Sequence, residues 1–143
     1  MDKNRIELEN KILMSRLPQN AYKFMDLDTA SPYLLIPAKT RNGMLCILRI
    51  DLSGFPEQSP DVYVTKMLKD KDGNLLDKKN DDMYVGDSKY GYTHIRDLYY
   101  EHWSQSLSLW QLYCMYNMWL YMYESHLATG KTVKEYLCND SDA

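Results

Sequence analysis

From position 103 to position 123 the chain carries no charged residue, although charged residues make up 26 % of its 143 positions. A run of 21 uncharged residues is long enough to cross a bilayer. Gln105, Gln111 and Asn117 interrupt it, however, and Glu124 and His126 follow at once. The remaining solution is a helix that is apolar on more than one face and therefore buried on more than one side. Ser108 suits its N-cap and Gly130 its C-terminal cap, which predicts a helix over 108–129. Leu109, Leu112, Tyr116, Trp119, Tyr123 and Leu127 form a core stripe, and Met115, Met118 and Met122 a second stripe beside it. After Gly130 there is room for one short helix over 132–137. It opens on Thr132-Val133-Lys134-Glu135, which has the form of a capping box. That helix brings only Val133, Tyr136 and Leu137 to cover the second stripe. Some of Met115, Met118, Tyr121 and Met122 should then be left for another chain, a second copy or an obligate partner.

The rest of the chain reads as one α+β domain over 1–143 with a frayed tail at 139–143. Ile6, Leu8, Ile12, Leu13 and Leu17 recur at helical spacing, and Pro18 ends a helix over 3–16. Strands are expected at 22–27, 33–38, 44–51 and 61–67, as an antiparallel meander with Asn42-Gly43 as a hairpin turn. Five Lys and five Asp between 66 and 82 cancel in charge, and Asp72-Gly73-Asn74 supplies a turn, so a solvated hairpin or loop is expected there. Residues 83–102 read as irregular and rich in tyrosine, the residue that dominates the aromatics with 13 Tyr against 2 Phe. A phenol can lie half buried with its hydroxyl in water.

The net charge of −3 leaves no basic field for nucleic acid, and no basic amphipathic helix for a membrane surface. Three cysteines, Cys46, Cys114 and Cys138, form neither a disulfide framework nor a zinc ribbon. Reduced thiols in the cytoplasm follow, and the first residues lack the apolar core of a signal peptide. Cys46 in an apolar strand and Cys114 in the helix read as packed small hydrophobes. His94, His102 and His126 lack ligand spacing, so no metal is expected, and no cofactor. Gly130-Lys131-Thr132 matches the end of a phosphate loop, but Ser125 stands at that loop's first glycine and the motif follows a helix instead of opening one.

The order of helix, strand meander, Pro-punctuated strand, irregular segment, tryptophan and long helix resembles the ubiquitin-conjugating enzyme fold, UBC-like for short. Gly54-Phe55-Pro56-Glu57-Gln58-Ser59-Pro60-Asp61-Val62 is similar to the family's aromatic–proline segment entering its fourth strand. Trp103-Ser104-Gln105-Ser106-Leu107-Ser108-Leu109 is similar to the stretch that precedes its long helix. Leu98-Tyr99-Tyr100 and the later Trp119-Leu120-Tyr121-Met122-Tyr123-Glu124 resemble the bacterial branch, whose members belong to ubiquitin-like conjugation and antiviral defence operons.

In those relatives a catalytic cysteine directly precedes the Leu-Tyr-Tyr stretch. Here that position is Asp97, and counting back from the tryptophan as in eukaryotic members gives Ile95. A thioester needs a sulfur nucleophile, and an aspartate could form only a mixed anhydride that water destroys. The resemblance thus implies a pseudoenzyme, with His94, Arg96, Asp97, Tyr99 and Tyr100 within 93–103 serving recognition. The implied partners are a ubiquitin-like protein, an activating enzyme or another defence-system subunit. The alternatives are an active conjugating enzyme whose cysteine has been replaced or is supplied from elsewhere in the fold, and an unrelated α+β interaction module.

Overall fold

The computed structural model describes residues 2–18, 20–96 and 103–142, with the backbone alone for 139–142. Helix α1 (Lys3–Arg16) precedes strands β1 (Lys23–Met25), β2 (Tyr33–Lys39), β3 (Leu45–Asp51), β4 (Val62–Val64) and β5 (Thr93–Ile95). Helices α2 (Leu109–Thr129) and α3 (Val133–Asp142) close the chain. The strands form one antiparallel sheet in sequence order. The architecture is α+β.

Strand alternation divides the sheet. Leu34, Ile36, Ala38, Cys46, Leu48, Ile50, Val62, Val64 and Ile95 turn inward and share one core with Leu13 of α1 and the buried stripe of α2. Thr40 and Met44 close the β2–β3 turn through a 2.9 Å main-chain bond, with Gly43 at φ +87°, a conformation open to glycine. Pro37 stands mid-strand because β1 ends before reaching it. In an antiparallel strand a residue's N–H and C=O point to the same side. The Pro37 carbonyl lies on the open edge, where the Tyr113 hydroxyl donates to it at 2.7 Å. The missing N–H therefore costs no ladder bond and denies that edge a donor for a foreign strand.

Helix α2 begins at a complete capping box. Ser108 Oγ accepts from Gln111 N at 3.1 Å, and Gln111 Oε1 accepts from Ser108 N at 2.8 Å. It ends at Gly130, φ +81°. Three of its side chains one turn apart fix the segment between β4 and β5. Trp119 Nε1 donates to the Met83 carbonyl at 2.9 Å, the Tyr123 hydroxyl donates to the Lys69 carbonyl at 2.6 Å, and His126 Nε2 accepts from Lys71 N at 3.1 Å. The lysine–aspartate stretch forms a small hairpin with Lys69 opposite Leu75, its turn held by Asp70 Oδ1 and its flanking Leu68 and Leu76 buried. Among the described residues no helix is long and apolar enough to cross a membrane.

Several expectations change. β1 and β4 are shorter than 22–27 and 61–67, and β5 forms inside the segment expected to be irregular. A three-residue strand needs only a neighbour, and Tyr63 paired with His94 supplies it. Leu127 is 44 % exposed instead of in the core stripe. His126 takes the inward place, because its Nδ1 also meets the Lys131 carbonyl at 2.9 Å and two backbone groups there require partners. Cys114 is exposed, on the outer arc of α2. Leu8 is 53 % exposed, and its neighbour Glu9 is buried. α3 runs past Leu137 to Asp142, started by Thr132 Oγ1 accepting from Glu135 N at 3.1 Å.

The buried Glu9 is tied on both sides. Its Oε2 pairs with Arg5 Nε at 3.0 Å, and its Oε1 accepts from Leu109 N, the first helical amide of α2, at 2.6 Å. Glu9→Ala should cost about 3 kcal/mol, because it leaves Arg5 without its counter-charge and a helix N-terminus without its acceptor. Glu9→Gln keeps an acceptor oxygen and should cost roughly half as much. Urea unfolding monitored by circular dichroism separates the two.

Candidate functional site

The residues nominated by the resemblance begin on β5. Alternation turns Thr93 and Ile95 into the core and leaves His94 and Arg96 on the opposite side. Asp97, Tyr99 and Tyr100 lie outside the described residues. Thr93 is buried and satisfied: its Oγ1 donates to the Lys66 carbonyl at 3.0 Å and accepts from Leu68 N at 2.8 Å. It thereby ties β5 to the strand-to-hairpin passage.

His94 stacks on Tyr63 of β4, with ring centroids 4.7 Å apart and planes 27° apart. Its Nε2 lies 3.6 Å from Asp61 Oδ1. The bond to His94 holds the Asp61 carboxyl below the usual carboxylate range, against the opposing effect of burial. Tyr63 is only 3 % exposed although it faces away from the core. Tyr90 covers it edge-on at 6.2 Å. Burial, then the nearby Asp61 and Asp51 carboxylates, push the Tyr63 phenol up to about 12. Arg49 lies between two rings, with its guanidinium carbon 3.8 Å from the Tyr33 centroid and 4.6 Å from that of Tyr90, and its Nε donates to Asp51 at 2.8 Å. The outward sheet face between β2 and β5 is thus paved with tyrosine, arginine and histidine. Tyrosine and arginine are enriched at protein interfaces.

Gly86 explains how the histidine is held. A Cβ there would lie 2.7 Å from His94 Nδ1, and the Gly86 amide donates to the His94 carbonyl at 2.9 Å. Arg96 belongs to a different group. It pairs with Asp81, its amide donates to the Tyr84 carbonyl at 2.8 Å, and its guanidinium lies 5.9 Å from the Tyr84 ring. His94 and Arg96 share a side of β5 but each has its own anchors. The alternation of Val62 and Val64 against Tyr63 was a readable signal for Tyr63. Nothing in the sequence pointed to Asp61, Arg49 or Gly86, whose roles depend on strand register.

The two segments that carry the family resemblance meet at the other end of this region. Trp103 Nε1 donates to the Pro56 carbonyl at 2.9 Å, and its ring meets Phe55 at 6.1 Å. Arg5 of α1 lies over Phe55 at 4.7 Å and donates to the carbonyls of Gln105 and Leu107. Trp103 and the passage into α2 are therefore firmly held against the Phe55–Pro56 segment and α1.

Two of the three cysteine thiols are raised above the ordinary range. Cys46 is buried and burial pushes its thiol up, while Lys66 opposes this. Cys114 is exposed, and partial burial raises its thiol as well, against the pull of Arg16. Among the described residues no group of three His, Cys, Asp or Glu side chains could hold a metal ion.

The methionine face of α2 is divided. Met118 is 49 % and Tyr121 44 % exposed, Met115 is half-buried, and Met122 is half-buried against the core. α3 meets α2 but leaves Met118 and Tyr121 open.

Gly86→Ala should destabilise the fold by about 1–3 kcal/mol through its clash with the imidazole. In a His94→Ala background the same change should cost clearly less, which a double-mutant cycle reads. Tyr63 gives an alkaline signature. Its phenol ionises near 10 when unfolded and at about 12 when folded, so the unfolded state loses its proton first. Its contribution is fully present below pH 10 and is lost as pH rises through about 12. Urea midpoints should fall over that window, and less steeply in Tyr63→Phe; an unchanged slope would exclude this assignment. No protein family, no curated protein and no solved structure matches the chain.

Proposed function

We propose that the chain is a non-catalytic, ubiquitin-conjugating-enzyme-like binding subunit of a bacterial ubiquitin-like conjugation or antiviral defence system, acting in the cytoplasm. The observation that carries this reading is the junction of its two family-like segments, with Trp103 bonded to Pro56 and packed on Phe55. Resemblances 40 or more residues apart in sequence come together as one unit, as a shared fold requires. The sequential antiparallel sheet followed by a long helix is compatible with it. The position that would carry the thioester is Asp97. A carboxylate there cannot form a thioester, so the same frame is left to hold a partner.

His94, Arg96, Asp97, Tyr99 and Tyr100 are the proposed recognition residues. The partner is a ubiquitin-like protein, its activating enzyme or another subunit of the same system. No cofactor or metal enters this reading.

The test combines the purified chain with the activating enzyme and ubiquitin-like protein encoded beside it, plus ATP, on a non-reducing gel. The wild-type chain should form no reductant-sensitive adduct, whereas Asp97→Cys should form one. Calorimetry should detect non-covalent binding to one of the two proteins, weakened about tenfold by His94→Ala or Arg96→Glu. A wild-type thioester would make the chain an enzyme. Absence of binding to either protein would remove the reading altogether.

A further inference from the structure

The outer arc of α2 is unusual for a helix in a highly charged chain. At about 100° per residue, Trp110, Cys114, Tyr121, Ser125 and Ala128 share one arc with Met118 on its flank. Cys114, Met118, Tyr121 and Ala128 are exposed, and between Trp110 and Tyr121 the arc carries no charge. Its two ends differ. At the N-terminal end Trp110 stands half-buried beside Tyr113, with the exposed Arg16 guanidinium 5.8 Å above its ring. At the C-terminal end a groove of about 410 Å³ opens, walled by Tyr121, Ser125 and Ala128 of α2, Tyr136 of α3, and Arg41 and Glu124. One end is a large ring carrying a positive charge. The other is a cleft floored by small residues with a carboxylate at its border.

We infer that a second copy of this chain covers the face, in an antiparallel two-fold contact that seats Trp110 of each copy in the α2–α3 groove of the other. Two-fold symmetry requires a surface that complements itself, and a ring and a groove at opposite ends of one helix do so. Trp110 and Ala128 are 18 residues apart, about 27 Å along the axis, so a two-fold axis crossing the outer arc midway between them sets each opposite the other across the contact. The same operation brings Arg16 toward Glu124. Glu124 stays in place because Thr40 Oγ1 and the Asn42 amide donate to it. Arg41, the groove's other charge, is exposed on the hairpin turn, where a guanidinium can stack on an entering indole. A parallel contact would instead set Arg16 against Arg16. The uncharged middle, with Met118 and Tyr121 at its centre, places no like charges together. This contact does not depend on the functional reading above, since it leaves the outward sheet face open.

The experiment is light scattering on the full chain across low to high micromolar concentration, with two variants. The wild-type chain should dimerise. Trp110→Ala removes the ring, and Ala128→Trp fills the groove from an exposed position that the fold does not need small. Each should raise the dimer dissociation constant about thirtyfold or more, the weight of a buried tryptophan anchor, with an unchanged circular dichroism spectrum for Ala128→Trp. A wild-type chain that stays monomeric overturns the inference, including the case in which a different protein fills the groove. So does a dimer that survives either variant, because the contact then lies elsewhere.

Discussion

The fold turns on one buried carboxylate. Glu9 is 1 % exposed on a helix whose other charges reach solvent, and it accepts the first amide of α2 from 100 residues away. A charge is withdrawn from water only where other charges and donors replace that water. Here Arg5 supplies the counter-charge and the N-terminus of α2 supplies a partial positive charge. Arg5 in turn lies over Phe55 and donates to two carbonyls of the passage into α2. One pair of side chains therefore fixes where α1, the Phe55–Pro56 segment and the start of the long helix meet. Trp103 completes the junction from the other side.

The tyrosine surplus has a structural cause. The segment between β4 and β5 is long and mostly without regular pairing, so its carbonyls need donors from elsewhere. α2 supplies them with side chains that fill volume and still carry a polar tip: Trp119 to Met83 and Tyr123 to Lys69. Tyr113 does the same for the unpaired edge at Pro37. Phenylalanine at position 123 would fill the same space and leave the part-buried Lys69 carbonyl without its donor, a cost of about 1–3 kcal/mol. This is also why 21 uncharged positions need not mean a membrane. The inward part of the stretch is uncharged because it is covered, and it is aromatic and hydroxylated because what covers part of it is irregular backbone.

Most of the architecture was legible because it depends on local chemistry. Ser108, Gly130 and Asn42-Gly43 mark their boundaries through capping and turn geometry, and each appears where those rules place it. Strand alternation sets Val62 and Val64 on one face and Tyr63 on the other. What escaped depends on register and on contacts between distant residues. β5 is three residues long and exists because β4 lies beside it. Leu8 and Glu9 exchange the expected burial because the acceptor for α2 must come from α1. Gly86 has no unusual backbone angle to announce it; its side chain is absent to admit His94. The sheet-face cluster of Arg49, Tyr63 and Tyr90 likewise assembles from three separate stretches. The methionine stripe was half legible: the helical period identified the face, but only packing could show that Met122 is drawn in while Met118 and Tyr121 stay open.

The distribution of charge separates two kinds of surface on this molecule. The lysine–aspartate hairpin concentrates ten charges of balanced sign in 17 residues and keeps Leu68 and Leu76 beneath it. Such a surface is well hydrated and has little to gain from a partner. The outward sheet face instead pairs Arg49 with Asp51 internally, sets the His94 ring beside Asp61, and presents rings around them. Ion pairs already made need less desolvation when a partner arrives, and rings supply contact area at small entropy cost. That face suits a protein partner held by shape and stacking more than by net charge. The α2 arc is free of charge along its middle and differs from the sheet face in having a groove at one end. The two surfaces lie on opposite sides of the sheet core, so a contact on one leaves the other accessible.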